Sequence, residues 1–296
     1  MTTTVGVIGL GNMGSAMAAA LLRAGFDVLG TASTAATRNR VAADGMTTVD
    51  SIARVAAKAQ VVVLALPTPA AVMAVVEGPD GLTVNARPGQ LVIDTTTSDP
   101  TTTRHVAAAL AAVGVRFLDA PVSGAPQVAR EGKLTMMLGG EASDIDQAMP
   151  VLKALSAVQI PVGALGSGQV VKLANNLLAA AHLAVAAEVV AYARAAGLDI
   201  DVFLRVINSS SGRSFITERV YPNWIQRGNF DLGFTVGLMR KDVRLATEEI
   251  HRQRLELPLV DLVRRLWQES GDLVGDAEDI TRMVELPARR QTGGLR

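Results

Sequence analysis

Between residues 5 and about 120 the chain alternates short β-branched apolar runs with alanine-rich stretches, and this alternation restricts the possible folds most. The runs are "VGVIGL" (5–10), "FDVLGT" (26–31), "VVVLAL" (61–66), "LVID" (91–94) and "VRFLDA" (115–120). Between them lie "NMGSAMAAALLRAG", "AATRNRVAADG", "PAAVMAVVEG" and "PTTTRHVAAALAAVG". Continuously apolar strands separated by helices predict a parallel sheet covered on both faces. A further strand pair is predicted at "KLTMMLGG" (133–140) and "VQIPVG" (158–163).

After residue 166 the pattern turns helical and no convincing strand remains. Residues 168–196 read as one helix, about 43 Å long at 1.5 Å per residue. Residues 199–285 keep a helical period broken at "SSSGRS" and "RGNFDLG", and the tail "ARRQTGGLR" reads as a frayed end. The fold expected is α/β: a doubly wound parallel sheet over residues 1–165, then an all-α domain over 166–296. A helix as apolar as 168–196 must be covered on most faces. That need predicts a homodimer or homotetramer, with the helical domain at the subunit interface.

The 28 basic residues balance 28 acidic ones, so no net field recruits nucleic acid. With 49% hydrophobic and 19% charged residues, the 296-residue chain has the make-up of a compact protein. There is no cysteine, and His105, His182 and His251 are scattered, so a metal centre has little support in the sequence. The first residues carry no basic region of the kind that opens a secretory signal. His182, Glu188 and Arg194 interrupt the one long apolar stretch, which reads as a buried helix of a cytoplasmic protein rather than a membrane span.

Gly9-Leu10-Gly11-Asn12-Met13-Gly14 is a G-x-G-x-x-G that follows a predicted strand and opens a predicted helix. That context makes it a Rossmann-type dinucleotide turn: Gly9 for the tight bend, Gly11 for approach of the pyrophosphate, Gly14 for helix–strand packing. Asn12 and Met13 count with the glycines as cofactor contacts, as do Leu66 and Pro67 beyond the third run. An acid some 20 residues after the glycines would accept the ribose 2′-OH of NAD. From Gly30 to Arg40 there is none, whereas Ser33, Thr34, Arg38 and Arg40 suit a 2′-phosphate. NADP is therefore expected ahead of NAD.

A lysine in the apolar stretch "GSGQVVKLANN" (166–176) is unexpected, because lysine is rarely buried without a partner or a task. A solvated helix stripe is the plain alternative. The nucleotide turn, "DAPVSG" (119–124), "GKLTMMLGG" (132–140), this stretch and "KD" (241–242) occur in this order. Together, over about residues 5–285, they resemble the β-hydroxyacid dehydrogenase family, which includes 3-hydroxyisobutyrate dehydrogenases and tartronate semialdehyde reductases.

The resemblance implies that Lys172 is the general acid/base of hydride transfer between NAD(P) and a small 3-hydroxy acid or its semialdehyde. Burial would bring a lysine toward neutral proton transfer, in keeping with that role. Asn176, one helical turn on, is implied to fix the lysine and the substrate oxygen; Asn175 is the lesser candidate. Ser123 and Gly124 match the family's carboxylate-binding turn, although the hexapeptide alone reads equally as an ordinary Pro/Gly turn. Thr96 falls where the family places a hydroxyl near the nicotinamide, or it caps the next helix. Lys241 matches a lysine that reaches the cofactor or substrate, and Phe234 a pocket wall; a surface lysine and a core phenylalanine are the alternatives. The loop "SGAPQVA" carries Ala125 and Val128 where many relatives have glycine, which leaves the particular hydroxy acid open. Imine reductases share the architecture but usually lack the lysine. Noncatalytic nucleotide-binding regulators tend to lose it and to gain domains.

Overall fold

The computed structural model describes residues 3–293, and the chain divides into two compact units, Met1–Lys172 and Leu173–Arg296. Among its described residues the first contains nine strands: β1 (Thr4–Ile8), β2 (Asp27–Thr31), β3 (Thr47–Thr48), β4 (Val61–Leu64), β5 (Leu91–Asp94), β6 (Arg116–Asp119), β7 (Val122–Ser123), β8 (Leu134–Gly139) and β9 (Ser156–Gly163). Its helices are α1 (Asn12–Arg23), α2 (Ala35–Ala43), α3 (Ile52–Lys58), α4 (Pro69–Glu77), α5 (Leu82–Asn85), α6 (Pro100–Ala111), α7 (Pro126–Arg130) and α8 (Ala142–Leu155).

The sheet runs β3-β2-β1-β4-β5-β6-β8-β7, with β9 also on β8, and it is parallel from β3 through β6. Successive strand residues face opposite ways. Val5, Val7, Val61, Val63, Leu91 and Ile93 pack on the face covered by Met17 and Leu21 of α1 and Val151 and Leu152 of α8. Ile8, Val62, Leu64 and Val92 pack on the other, against Val55 of α3, Val72 of α4 and Leu110 of α6. Both faces are dry, so the strands are continuously apolar, and each large side chain so buried contributes about 1.5–3 kcal/mol.

Beyond β6 the sheet becomes mixed. β8 runs antiparallel to β6 and β7, then parallel to β9. Between β6 and β8 the chain returns through the short α7, whereas a parallel pairing would need a long crossover such as α8 provides from β8 to β9. At two residues each, β3 and β7 are too short to show a period.

α9 (Ser167–Ala195) is continuous through both units. The second unit adds α10 (Ile200–Asn208), a π-helical stretch Ile216–Ile225, α11 (Val236–Arg252), α12 (Pro258–Glu269), two 3₁₀ turns and α13 (Leu286–Gly293). Its core gathers Ala180, Leu183, Ala186 and Val190 of α9 around Tyr221 and Trp267, whose indole N–H donates to the Ala180 carbonyl. Among the described residues this unit has no strand, only an isolated bridge between Thr235 and Asp279.

α9 is long and apolar enough to pass for a membrane span, with a mean hydropathy of 1.5 over its most apolar window. One side of it nevertheless builds the helical core. Part of the rest stays open within one chain: Leu178, Val185 and Tyr192 are 59, 54 and 73% exposed. The expected fraying of the tail is corrected. α13 continues to Gly293, and Arg289 bonds the Leu273 carbonyl and pairs with Glu278 and Glu285; residues 294–296 lie outside the described ones.

Candidate active site

β1 ends where its neighbours β2 and β4 lead the chain in opposite directions, the switch point at which parallel sheets open a ligand crevice. Gly9 turns there with φ +101°, and a Cβ on it would stand 2.3 Å from the Ala65 carbonyl oxygen. A Cβ on Gly14 would stand 1.8 Å from the Gly9 oxygen, so α1 can approach β1 only with glycine. Gly11 differs: nothing lies within 4 Å of its Cβ position, and it starts α1 without a side-chain cap. The first-turn N–H groups, starting at Asn12 and Met13, therefore face open space beside a bare backbone. These residues fit a dinucleotide pyrophosphate held on a helix N-terminus.

Past β2, Thr34 is the N-cap of α2, its hydroxyl accepting the Thr37 N–H at 3.2 Å, while Ser33 is exposed. Arg38 folds back to donate to the Ala32 carbonyl, and Arg40 reaches the Leu10 carbonyl at 3.4 Å. Both guanidiniums thus lie over the end of β2 and the glycine turn.

Thr96 follows β5 and is 2% exposed. The helix-capping alternative fails for it: Asp99 caps α6, accepting the Thr101 and Thr102 N–H groups at 3.1 and 3.0 Å. The Thr96 hydroxyl instead accepts the Leu66 N–H at 3.1 Å, tying the loop after β4, with Leu66 and the exposed Pro67, to the loop after β5. The Thr96 carbonyl in turn accepts the amide of Gln169 at 2.9 Å. Gln169 stands on α9, one turn before Lys172.

Lys172 and Asn176 are 8 and 5% exposed, one turn apart on α9, whereas Asn175 points outward. The Asn176 amide nitrogen donates to Asp242 Oδ2 at 2.6 Å, and its oxygen accepts from Asn175 at 3.0 Å. Asp242, itself 1% exposed, pairs through Oδ1 with Lys241 Nζ at 3.0 Å. Asn176 and Lys241 thus share one buried carboxylate, so Lys241 is no surface lysine. Phe234 is half-buried in the helical core, just ahead of the Thr235 cap of α11. Ser123 and Gly124 lie at the end of β7, separated from β6 by β8; Ser123 pairs with Thr135 and Gly124 has φ +138°.

Sequence reasoning missed Asp242, Gln169 and Asp119. For Asp242 a signal existed: an acid on the stripe of α11 that otherwise carries Met239, Val243 and Ala246. Asp119 is an acid closing an apolar strand. Gln169 gave none.

A glycine turn on a parallel sheet serves many nucleotide users; with a helix bearing a buried amine tied to the same sheet through Thr96 and Gln169, it is the arrangement of an NAD(P)-dependent oxidoreductase. Residues 4–166 match the family model described as the NAD binding domain of 6-phosphogluconate dehydrogenase. Residues 166–287 match that described as NAD-binding of NADP-dependent 3-hydroxyisobutyrate dehydrogenase. The chain is 31% identical to 2-(hydroxymethyl)glutarate dehydrogenase of Eubacterium barkeri over 283 residues, covering 95% of this chain and 94% of that one. Among solved structures, Mycobacterium tuberculosis 3-hydroxyisobutyrate dehydrogenase with L-serine superposes with a TM-score of 0.87 at 30% identity, over 97% of this chain and 99% of the other. The chain belongs to the β-hydroxyacid dehydrogenase family. An imine reductase from Myxococcus stipitatus, at 17% identity and a TM-score of 0.65 over 97% of this chain and 100% of its own, shares the fold alone.

Proposed function

We propose that the protein interconverts a small 3-hydroxy acid of the 3-hydroxyisobutyrate type and its semialdehyde, with Lys172 as general acid/base. The observation that carries this is a lysine 8% exposed on α9, one turn from a buried asparagine amide and one turn past a residue bonded to the Thr96 loop. When bound, the nicotinamide supplies the hydride in reduction and accepts it in oxidation. Lys172 gives its proton to the carbonyl oxygen in reduction and takes the hydroxyl proton in oxidation. Asn176, its amide oriented by Asp242, holds the substrate oxygen against the lysine. The family pattern assigns the substrate carboxylate to Ser123 and the Gly124 backbone, a pocket-wall role to Phe234, and a cofactor or substrate contact to Lys241.

Gly9, Gly11, Asn12, Met13, Gly14, Leu66, Pro67 and Thr96 would hold the dinucleotide. Ser33, the α2 N-terminus, Arg38 and Arg40 supply donors and positive charge for a 2′-phosphate, which supports NADP over NAD. Functionally the first domain is taken to end at residue 165 and the second to start at 166, where the two family matches meet. The apolar stripe Leu178, Val185, Val189 and Tyr192, repeating at helical spacing, supports a homodimer or homotetramer built on α9. A cytoplasmic location accords with a cysteine-free chain whose most apolar helix is part of a folded core.

The test is absorbance at 340 nm with NADP or NAD and a panel of 3-hydroxyisobutyrate, glycerate, 4-hydroxybutyrate, serine and threonate. Turnover of a 3-hydroxy acid is expected, faster with NADP. Silence on the whole panel with rapid reduction of a cyclic imine would overturn the proposal.

A further inference from the structure

α9 starts at Ser167, and the N–H groups of its first turn need acceptors outside the helix. The Ser167 N–H finds the Ala164 carbonyl, and the Gln169 N–H finds Asp119 at the end of β6, whose carboxylate accepts it at 3.0 Å and also accepts the N–H of Gly166, just ahead of the helix, at 2.8 Å. A negative group at this end also complements the helix dipole. The fit leaves no slack: a Cβ on Gly139 would lie 2.3 Å from one carboxylate oxygen, and a Cβ on Gly168 would lie 2.7 Å from the other. Asp119 therefore fixes where the helix begins. Two bonds to one carboxylate still permit the helix to rotate about its axis.

The Gln169 side chain removes that freedom. It is fully buried, its oxygen accepts the Ser98 N–H at 2.9 Å, and its nitrogen donates to the Thr96 carbonyl at 2.9 Å. Gln169, Lys172 and Asn176 are spaced three and four residues apart, on one helix face. Since the Thr96 hydroxyl also accepts the Leu66 N–H, a line of buried bonds runs from the loop after β4 to the lysine's own turn.

We propose that Gln169 is the positioning residue for Lys172, locking the rotation of α9 to the Thr96–Ser98 loop and so setting the lysine's place beside that loop. This rests on the proposed role of Lys172. A misplacement of about 1 Å at a reacting group can cost about 100-fold in rate. Loss of the lock should therefore show in kcat rather than in cofactor affinity.

The test compares Gln169→Met, of equal length without the polar end, and Gln169→Glu, in the native and Lys172→Ala backgrounds. The probe is oxidation of 3-hydroxyisobutyrate, or of whichever member of the panel is turned over fastest, across pH. NADPH affinity by fluorescence and hydrogen exchange of residues 96–98 in the free protein accompany it. Gln169→Met should lower kcat by about 10- to 100-fold, leave the NADPH Kd within about threefold, and speed exchange at Ser98. In the Lys172→Ala background the same change should cost less than about threefold more, because groups acting as a unit are non-additive. Gln169→Glu should work at acid pH, where a protonated carboxyl can both accept and donate, and fail as it ionises against the Thr96 carbonyl. Native kcat in Gln169→Met, or an equal loss in both backgrounds, overturns the inference. Should Gln169→Met not fold, the Glu variant decides, and a loss of turnover that ignores pH counts against it. Native turnover in Lys172→Ala alone would remove the lysine's role itself, a failure visible before any Gln169 variant is made.

Discussion

Gly11 and Gly14, three residues apart, should respond in different ways to the same added methyl group. In Gly14→Ala the new Cβ would lie 1.8 Å from the Gly9 oxygen, which is 1.6 Å inside the 3.4 Å at which ordinary contact begins. Only backbone movement can relieve it, and α1 is pinned by Ala16, Met17 and Leu21 in the sheet core. Overpacking of this kind costs roughly 3 kcal/mol, or about 6–12 °C in Tm for a unit of this size. In Gly11→Ala the Cβ meets nothing within 4 Å and the backbone, at φ −68° and ψ −164°, is open to any residue. Stability should stay within about 0.5 kcal/mol. The methyl group would, however, sit where the pyrophosphate must approach the N–H groups. Losing about 1.5–3 kcal/mol of charge-assisted bonding weakens binding about 10- to 150-fold. Thermal unfolding without cofactor and fluorescence titration with NADPH measure the two effects. An unchanged NADPH Kd in Gly11→Ala, or a Tm loss equal to that of Gly14→Ala, would refute the assignment of the turn.

Arg38→Ala should lower kcat/KM for NADP by about tenfold or more and leave NAD within about twofold, as charge-assisted phosphate contacts require; equal losses with both would remove the 2′-phosphate role. Asp242→Ala removes the buried carboxylate that pairs with Lys241 and orients the Asn176 amide, and should cost about 3 kcal/mol of stability together with most of kcat; an unaltered melting curve would contradict the shared buried carboxylate. Burial holds the Asp119 carboxyl above its ordinary range, against the opposing pull of the Gly166 and Gln169 N–H groups. The folded state thus keeps the proton to higher pH than the unfolded state, and this group's contribution to stability falls as pH rises from about 3.8 through the raised value. Relative to Asp119→Asn, the native protein should accordingly gain stability on acidification from pH 7 toward 4 in chemical denaturation, and a constant difference would refute the sign. Leu178→Glu with Val185→Glu should give a monomer by light scattering while leaving the fold intact, and a persistent dimer would move the interface off α9.

The parallel half of the sheet was legible because strands dry on both faces, such as Val61–Leu64, leave an uninterrupted apolar run. The glycine turn was legible because its spacing is local, although the Ala65 carbonyl that confines Gly9 comes from the next strand of the sheet. Less could be read where geometry depends on distant partners. Asp119 bonds across 47 and 50 residues, Gln169 across 71 and 73, and Asn176 finds Asp242 66 residues away. No local period records such meetings. The antiparallel return into β8 escaped notice for a related reason: its direction is decided by the short α7, while β8 itself reads like any buried strand. Lys172 was conspicuous only because its neighbours are apolar, and its chemistry came from the family pattern around it.

The most direct measurement is the 340 nm rate with 3-hydroxyisobutyrate and NADP for the native protein and for Lys172→Ala, with NADPH binding followed by fluorescence in both. A lysine acid/base requires the variant to lose turnover by orders of magnitude while it binds NADPH as the native protein does. Near-native turnover in the variant would contradict the assignment of Lys172.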